Sequence, residues 1–277
     1  MPIVNASPNA LSLFLFVPAD RPERFAKAMA AGADAIILDL EDGVDWRSRG
    51  AARAALAASA DVIKGGACPA FVRINALEAG GEADLDILAN LAIAGVVAPK
   101  AETVADLRRI AERAGAPVVA LVETARGLAA ARELARACAR LAFGSIDFAA
   151  DLGCRHTRPA LAQARAELVL ASRLAGLPGP IDGVTTSIGM PDLVRDDAAH
   201  AAELGFEGKL LIHPAQVAPA TEGFHPDDEE RDWAEKVLSG GEGGASNVAG
   251  AMVDAPVRQL ALRIRARARR FRETIRR

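Results

Sequence analysis

Residues 34–44 read DAIILDLEDGV, an apolar run from Ala35 to Leu38 that opens directly into Asp39, Glu41 and Asp42. An apolar run this short, continuous and rich in isoleucine and leucine reads as a strand covered on both faces. Side chains alternate along a strand, so Asp39 and Glu41 point one way while Leu38 and Leu40 point the other. Two carboxylates sharing one partly desolvated space cost free energy unless a cation, an arginine or a proton lies between them. Another segment of the chain has to supply that partner.

The same pattern recurs along the chain. Strand candidates are SLFLFVPA (12–19), AIILDLED (35–42), PAFVRINA (69–76), GVVAPKA (95–101), PVVALVET (117–124), RLAFGSID (140–147), IDGVTTS (181–187) and GKLLIHP (208–214). Ala/Leu/Arg/Glu stretches of helical period separate them, which is the signature of successive βα units. Asp20, Pro22 and Glu23 predict a capped helix start ahead of Phe25, Ala28 and Met29, closed by Gly32; Thr103 and Asp106 predict another ahead of Leu107 and Ile110, closed by Gly115. Eight units on 277 residues fit the roughly 250 residues of a closed barrel. The expected fold is therefore α/β, a (β/α)8 TIM barrel with a C-terminal helical lid extension. An open doubly wound sheet is the runner-up, but no G-x-G-x-x-G follows the first strand.

Polar residues collect at the C-terminal ends of these strands: Arg21, Asp39 and Glu41, Arg73 and Asn75, Lys100, Glu123, Asp147, Thr185 and His213. In a barrel those ends meet at one mouth, where active sites lie.

Composition narrows the chemistry. Net charge is −3 and 51% of the residues are hydrophobic, typical of a soluble metabolic protein and unlike a general polyanion binder. The early run Leu11–Val17 is too short to span a bilayer and lacks the basic flank of a signal peptide, so the chain reads as cytoplasmic with no membrane partner. Three cysteines, Cys68, Cys138 and Cys154, show no C-x-x-C spacing, so neither a disulfide framework nor a thiolate zinc site is indicated.

Glu123 and Asp147 end consecutive strand candidates and would face one another across one barrel step. Two carboxylates without a neighbouring His or Cys suit a hard cation that completes its shell with water and substrate oxygens, hence Mg2+ or Mn2+. Read blandly, they are helix N-caps or surface acids. Arg73 projects inward, either to neutralise Asp39 or Glu41 or to grip a substrate carboxylate as well. Lys100 is read as an electrostatic or structural lysine, because a carboxylate-rich mouth keeps it charged and unsuited to Schiff-base chemistry. His213 is read as a packed strand-end histidine, and His156, His200 and His225 as loop or helix-surface residues.

The motifs FVPADRPERFAKAMAAGADAIILDLEDGV, VRINAL, VAPKAET, LVETARGL, LAFGSIDFAADLG and GFEGKLLIHPAQV, spread over about residues 12 to 225, together resemble the citrate lyase beta-subunit, malyl-CoA lyase and citramalyl-CoA lyase family within the HpcH/HpaI aldolase superfamily. The resemblance implies a TIM barrel, Mg2+ and reversible carbon–carbon cleavage of a 3-hydroxyacyl thioester to acetyl-CoA and an oxoacid. By motif, Glu123 and Asp147 match the metal ligands and Arg73 the arginine that holds the substrate carboxylate. Asp39 and Glu41 match the acidic strand end that orders water and that arginine, while Arg21, Arg24 and Lys27 would lie near the thioester's phosphates.

After the barrel domain (residues 1–238), SGGEGGASNVAG (239–250) reads as a Gly/Ser-rich flexible linker. Residues 251–277 resemble the mobile lid of malyl-CoA lyase-like members, whose aspartate enters a neighbouring subunit's site; Asp254 is the matching position. Asp254 reads equally as an N-cap, with Pro256 in the first turn. A trans-acting lid implies a homo-oligomer, and the family a trimer or hexamer. The last helix is basic, but no aromatic interleaving or binding motif supports a nucleic-acid partner. A Mg2+-dependent CoA ester lyase is thus the expected function. The alternatives are a metal-dependent class II-type aldolase on free 2-keto-3-hydroxy acids, and a citrate lyase beta subunit acting on a carrier-bound thioester.

Overall fold

The computed structural model describes residues 8–240, 246–248 and 251–275. All eight expected strands form, and each lies inside its expected segment: β1 Leu13–Pro18, β2 Ala35–Asp39, β3 Ala70–Arg73, β4 Gly95–Ala98, β5 Val118–Val122, β6 Arg140–Phe143, β7 Ile181–Asp182 and β8 Gly208–Leu211. They pair in sequence order, and β1 also pairs with β8, so the parallel sheet closes into a barrel. Closure leaves the barrel itself without an edge strand.

Alternation along the strands divides the apolar residues into two clusters. Phe14, Ile37, Phe71, Val97, Val119, Leu121, Ala142, Ile181 and Leu210 fill the barrel interior, where Phe14 and Phe71 meet edge to face with ring centroids 5.4 Å apart. Their neighbours, such as Leu13, Ile36, Leu38, Val72 and Val96, pack outward with the helix layer. This double coverage is why each strand reads as a continuous apolar run. Burial of both faces removes the polar alternation that a half-exposed strand would show.

The bottom of the barrel is closed by Arg140, whose side chain is fully buried. Its Nε donates to the Gly179 carbonyl at 3.0 Å, and its Nη1 donates to the carbonyls of Pro8, at 2.9 Å, and Leu11. Burial, with the nearby charge of Arg270, pushes its pKa down to about 9. Apolar side chains thus fill the interior above this buried guanidinium.

Three local expectations are corrected. Asp20 makes no cap: a 3-10 turn, Pro22–Arg24, precedes the helix Phe25–Met29, Arg21 occupies the N-cap position without a side-chain bond, and the helix stops before Gly32. The sixth strand ends at Phe143 rather than reaching Asp147, because Gly144 starts a helix, Ser145–Leu152. The seventh strand is only Ile181–Asp182. By contrast, Thr103 accepts a hydrogen bond from the Asp106 N–H, and the helix Val104–Ala114 ends at a left-handed Gly115, as expected.

Beyond the barrel, helix Asp228–Ser239 starts with a reciprocal capping box between Asp227 and Glu230. Part of the expected linker lies outside the described residues; within it, Ser246–Val248 pairs antiparallel with Ala251–Val253. The C-terminal helix, Ala255–Ile275, packs Ala261 and Ile264 against Ala234 and Val237. Phe271 stacks on Phe224 with centroids 5.3 Å apart. Arg267 grips both oxygens of Glu230 at 2.7 and 2.6 Å. This helix accordingly docks on the flank of its own barrel.

Candidate active site

The β2–β3 register sets Asp39 directly beside Arg73. The guanidinium takes Asp39 in a two-pronged bond, Nε to Oδ1 and Nη2 to Oδ2, both at 2.7 Å. Its third nitrogen, Nη1, lies 3.0 Å from Glu41 Oε2 and 3.4 Å from Asp42 Oδ2. Arg73 therefore answers all three acids of the segment at once. Phe16 covers the guanidinium plane, 4.8 Å from its centroid, a favourable cation–π arrangement in a desolvated place.

Asp39 is further held by the N–H groups of Glu41 and Gly43, at 3.0 and 2.8 Å. A Cβ at Gly43 would overlap its carboxylate, so only glycine lets the chain fold back so closely. With two backbone donors and a guanidinium fork, Asp39 is a positioning group. Behind it, Asn75 donates from Nδ2 to the Leu40 carbonyl at 2.9 Å and to Asp84 at 2.7 Å, and Arg53 completes that support at 2.6 Å from Asp84.

Glu123 follows β5 directly, 2% exposed. Its Oε1 accepts the Lys100 backbone N–H at 2.7 Å. A Cβ at Gly144 would overlap its Oε2 and its own Cβ, so the carboxylate fills a notch that glycine leaves open. Gly144→Ala is expected to lower stability by about 1–3 kcal/mol through overpacking, read by urea denaturation; an unchanged midpoint would show that Glu123 simply steps aside. Burial, and then the charge of Glu41, pushes the Glu123 pKa up to about 8, with Asp147 adding in the same direction. Burial likewise raises Glu41 to about 7 against the pull of Arg73.

Asp147 occupies the first turn of helix Ser145–Leu152, exposed, one barrel step from Glu123 and close enough for its charge to act on both Glu123 and Lys100. Lys100 is half-exposed, with Nζ 3.6 Å from Glu41 Oε1. Burial lowers its pKa, but the charges of Glu41 and Glu123 outweigh that and raise it above the usual lysine value. It stays charged, which removes the Schiff-base rival.

The donor set fits a hard divalent cation. Glu123 is a buried carboxylate whose ionised form lacks sufficient positive charge nearby, and a second acid stands across the mouth. Among the described residues no group of three or more His, Cys, Asp or Glu side chains forms a metal cage. A hard cation held by few protein carboxylates fills its other positions with water and substrate oxygens, as Mg2+ does.

The other expected residues are placed as follows. Arg21 and Arg24, just beyond β1, are exposed and pair with their preceding acids, at 3.8 and 3.9 Å; Lys27 is exposed as well. Asp254 caps the C-terminal helix, its Oδ1 accepting the Val257 N–H at 3.1 Å. His213 is exposed rather than packed: it caps a 3-10 turn, its Nδ1 accepting the Ala215 N–H, because Pro214 turns the chain outward. His156 touches the buried Ser145 hydroxyl at 3.0 Å, a contact with no local sequence signal.

The profile of the HpcH/HpaI aldolase/citrate lyase family matches residues 12–214, from β1 to just past β8. The chain belongs to this family. A citrate lyase subunit beta-like protein of Mycobacterium tuberculosis is 40% identical over 260 residues, covering 88% of this chain and 90% of that protein. A (3S)-malyl-CoA thioesterase of Cereibacter sphaeroides is 33% identical over 231 residues, covering 81% of each. Among solved structures, the M. tuberculosis protein CitE, in complex with magnesium, acetoacetate and coenzyme A, superposes with a TM-score of 0.83 at 38% identity, covering 94% of this chain and 99% of that one. The family includes citrate lyase beta subunits and malyl-CoA lyases, which are lyases. Among the described residues no helix is long and apolar enough to cross a membrane.

Proposed function

We infer that the protein is a Mg2+-dependent CoA ester lyase that cleaves a 3-hydroxyacyl-CoA of the malyl, citramalyl or citryl type to acetyl-CoA and an oxoacid. The observation that carries this reading is the buried Glu123 beside Asp147, at a mouth that also holds Arg73 and Lys100. Glu123 Oε2 and the Asp147 carboxylate would hold the ion, with Mn2+ as a substitute. Mg2+ when bound supplies a Lewis acid that steadies developing negative charge on oxygen. The relative's complex with magnesium, acetoacetate and coenzyme A supports the choice of ion and of a CoA ester.

The chain's own residues account for the rest. The bond to Asp42 is Arg73's longest, at 3.4 Å, and Asp42 is exposed, so a substrate carboxylate can take that prong. Glu41, with a pKa near 7, accepts the hydroxyl proton as the carbon–carbon bond breaks. The electron pair of that bond passes to the carbon alpha to the thioester, giving its enolate, while the hydroxyl carbon becomes the oxoacid carbonyl. Asp254 of a second copy returns a proton to that enolate, which requires a homo-oligomer, read here as a trimer or hexamer. Arg21, Arg24 and Lys27, all exposed, would meet the thioester's phosphates.

A panel of CoA thioesters assayed with and without Mg2+ tests this. Cleavage of at least one 3-hydroxyacyl-CoA, lost in excess chelator, is expected. Turnover of free 2-keto-3-hydroxy acids alone would favour the aldolase reading, and activity only with a carrier protein would favour a citrate lyase beta subunit.

Metal binding should also depend on pH. Glu123 has a folded-state pKa of about 8 against an ordinary 4.5. In the metal-free protein its contribution to stability is complete below the lower value and is lost as pH rises through the upper one. Binding needs the carboxylate, so Mg2+ must displace a proton below pH about 8, and apparent affinity should fall up to about tenfold per pH unit beneath it. Calorimetry in buffers of different ionisation enthalpy reads that proton; equal affinity at pH about 6 and 8 would contradict the assignment.

A further inference from the structure

We propose that Lys100 receives the substrate's free carboxylate, and that the chain holds this residue in a left-handed conformation so that it fixes Glu123 through its backbone while presenting its ammonium to the mouth. The proposal rests on the reading of the mouth as a lyase site. Arg73 alone is poorly placed to carry the whole carboxylate. Its Nε and Nη2 are committed to Asp39, its Nη1 is shared by Glu41 and Asp42, and its side chain is 9% exposed. A two-pronged grip by this guanidinium would have to break the pair that holds β2 to β3.

Lys100 differs on each count. Its side chain is 51% exposed, and its Nζ stands 3.6 Å from Glu41 Oε1, an ion pair too long for a hydrogen bond. An incoming carboxylate can therefore use donors of the ammonium without displacing a protein partner. Glu41 lies between this ammonium and Arg73 Nη1, one oxygen toward each. Glu41 thus already occupies the space between the two cations, and of the pair Lys100 has the more exposed side chain and the looser contact, at 3.6 Å against 3.0 Å.

The backbone supports the same conclusion. Lys100 is the only non-glycine among the described residues with positive φ, at 45°. That turn aims its N–H at Glu123 Oε1, 2.7 Å away. Glycine would supply the same N–H and the same turn with less steric cost. The backbone task alone calls for glycine, and the lysine side chain adds the one thing glycine lacks, a cation at the mouth.

The test uses the full-length protein and two calorimetric titrations, Mg2+ alone and pyruvate, a simple 2-oxoacid, in saturating Mg2+. Lys100→Gly keeps the N–H and the turn, so Mg2+ affinity should stay within about twofold of the parent while pyruvate affinity falls at least about tenfold, the scale of one charge-assisted bond. Lys100→Arg should restore most of the lost pyruvate affinity. If the glycine variant folds poorly, Lys100→Asn serves, since asparagine tolerates the left-handed region. Pyruvate affinity unchanged in the glycine variant would overturn the proposal. So would Mg2+ and pyruvate affinities falling together by similar factors, which would mark Lys100 as only a support for Glu123. A parent protein that binds Mg2+ but no 2-oxoacid would instead overturn the lyase reading itself, and this proposal with it.

Discussion

Glu123→Gln is expected to lose Mg2+-dependent cleavage by at least about a hundred- to a thousandfold, the scale of removing one preorganised electrostatic group, while the barrel remains folded. The side chain is buried and nearly isosteric with its replacement, so packing is conserved. Metal-free, the parent carboxyl has a pKa near 8 and is largely protonated at neutral pH. A neutral amide therefore costs the fold little there, and above about pH 8 it should stabilise the metal-free protein by removing an unpaired buried charge. Loss of activity with loss of fold, or full activity in the variant, would each contradict this assignment. Thermal melts at pH about 7 and 9, alongside the CoA ester assay, separate the outcomes.

Arg73→Met carries the second large effect, and it falls on stability as well as on activity. The substitution strands Asp39 and Glu41, 3% and 4% exposed, without their guanidinium. Breaking one side of a buried ion pair costs about 3–5 kcal/mol, which for a chain of this size corresponds to a fall in melting temperature on the order of 10 °C. Adding Asp39→Asn should recover part of that loss, because it removes one orphaned charge and keeps one oxygen able to accept from either the Glu41 or the Gly43 N–H. If the double variant is no more stable than the single, the cost lies in lost packing around Phe16 and not in the stranded carboxylates.

The barrel was legible because its physics is repetitive. Each strand, wrapped on both faces, has to be apolar until it reaches the mouth, and there polarity appears abruptly, as in AIILD or AFVR. The opening conflict of Asp39, Glu41 and Asp42 also demanded a cation, and Arg73 meets it through the β2–β3 register. Element ends were less legible. Asp147 looked like a strand end because SID continues an apolar run, whereas Gly144 releases the chain into a helix, and alternation over so few residues cannot separate the two. Asp20 and Glu23 had the spacing of a capping box, but the 3-10 turn starting at Pro22 put Arg21 in the N-cap place.

Other parts of the site are purely three-dimensional. Nothing local says that Gly144 must leave room for Glu123 or Gly43 for Asp39. The left-handed turn of Lys100 also runs against the sequence, since glycine is the residue such a turn normally signals. Asp254 shows a further limit: its capping bond is visible within one chain, whereas delivery to a neighbour's mouth is a property of an assembly.

The most direct measurement is a crystal structure of the protein grown with Mn2+ and recorded for anomalous scattering. The account predicts one strong peak at the barrel mouth, bonded to Glu123 Oε2 and to the Asp147 carboxylate, with Glu123 Oε1 still accepting the Lys100 N–H. A Mn2+ peak held elsewhere, or a mouth without one at saturating metal, would contradict it.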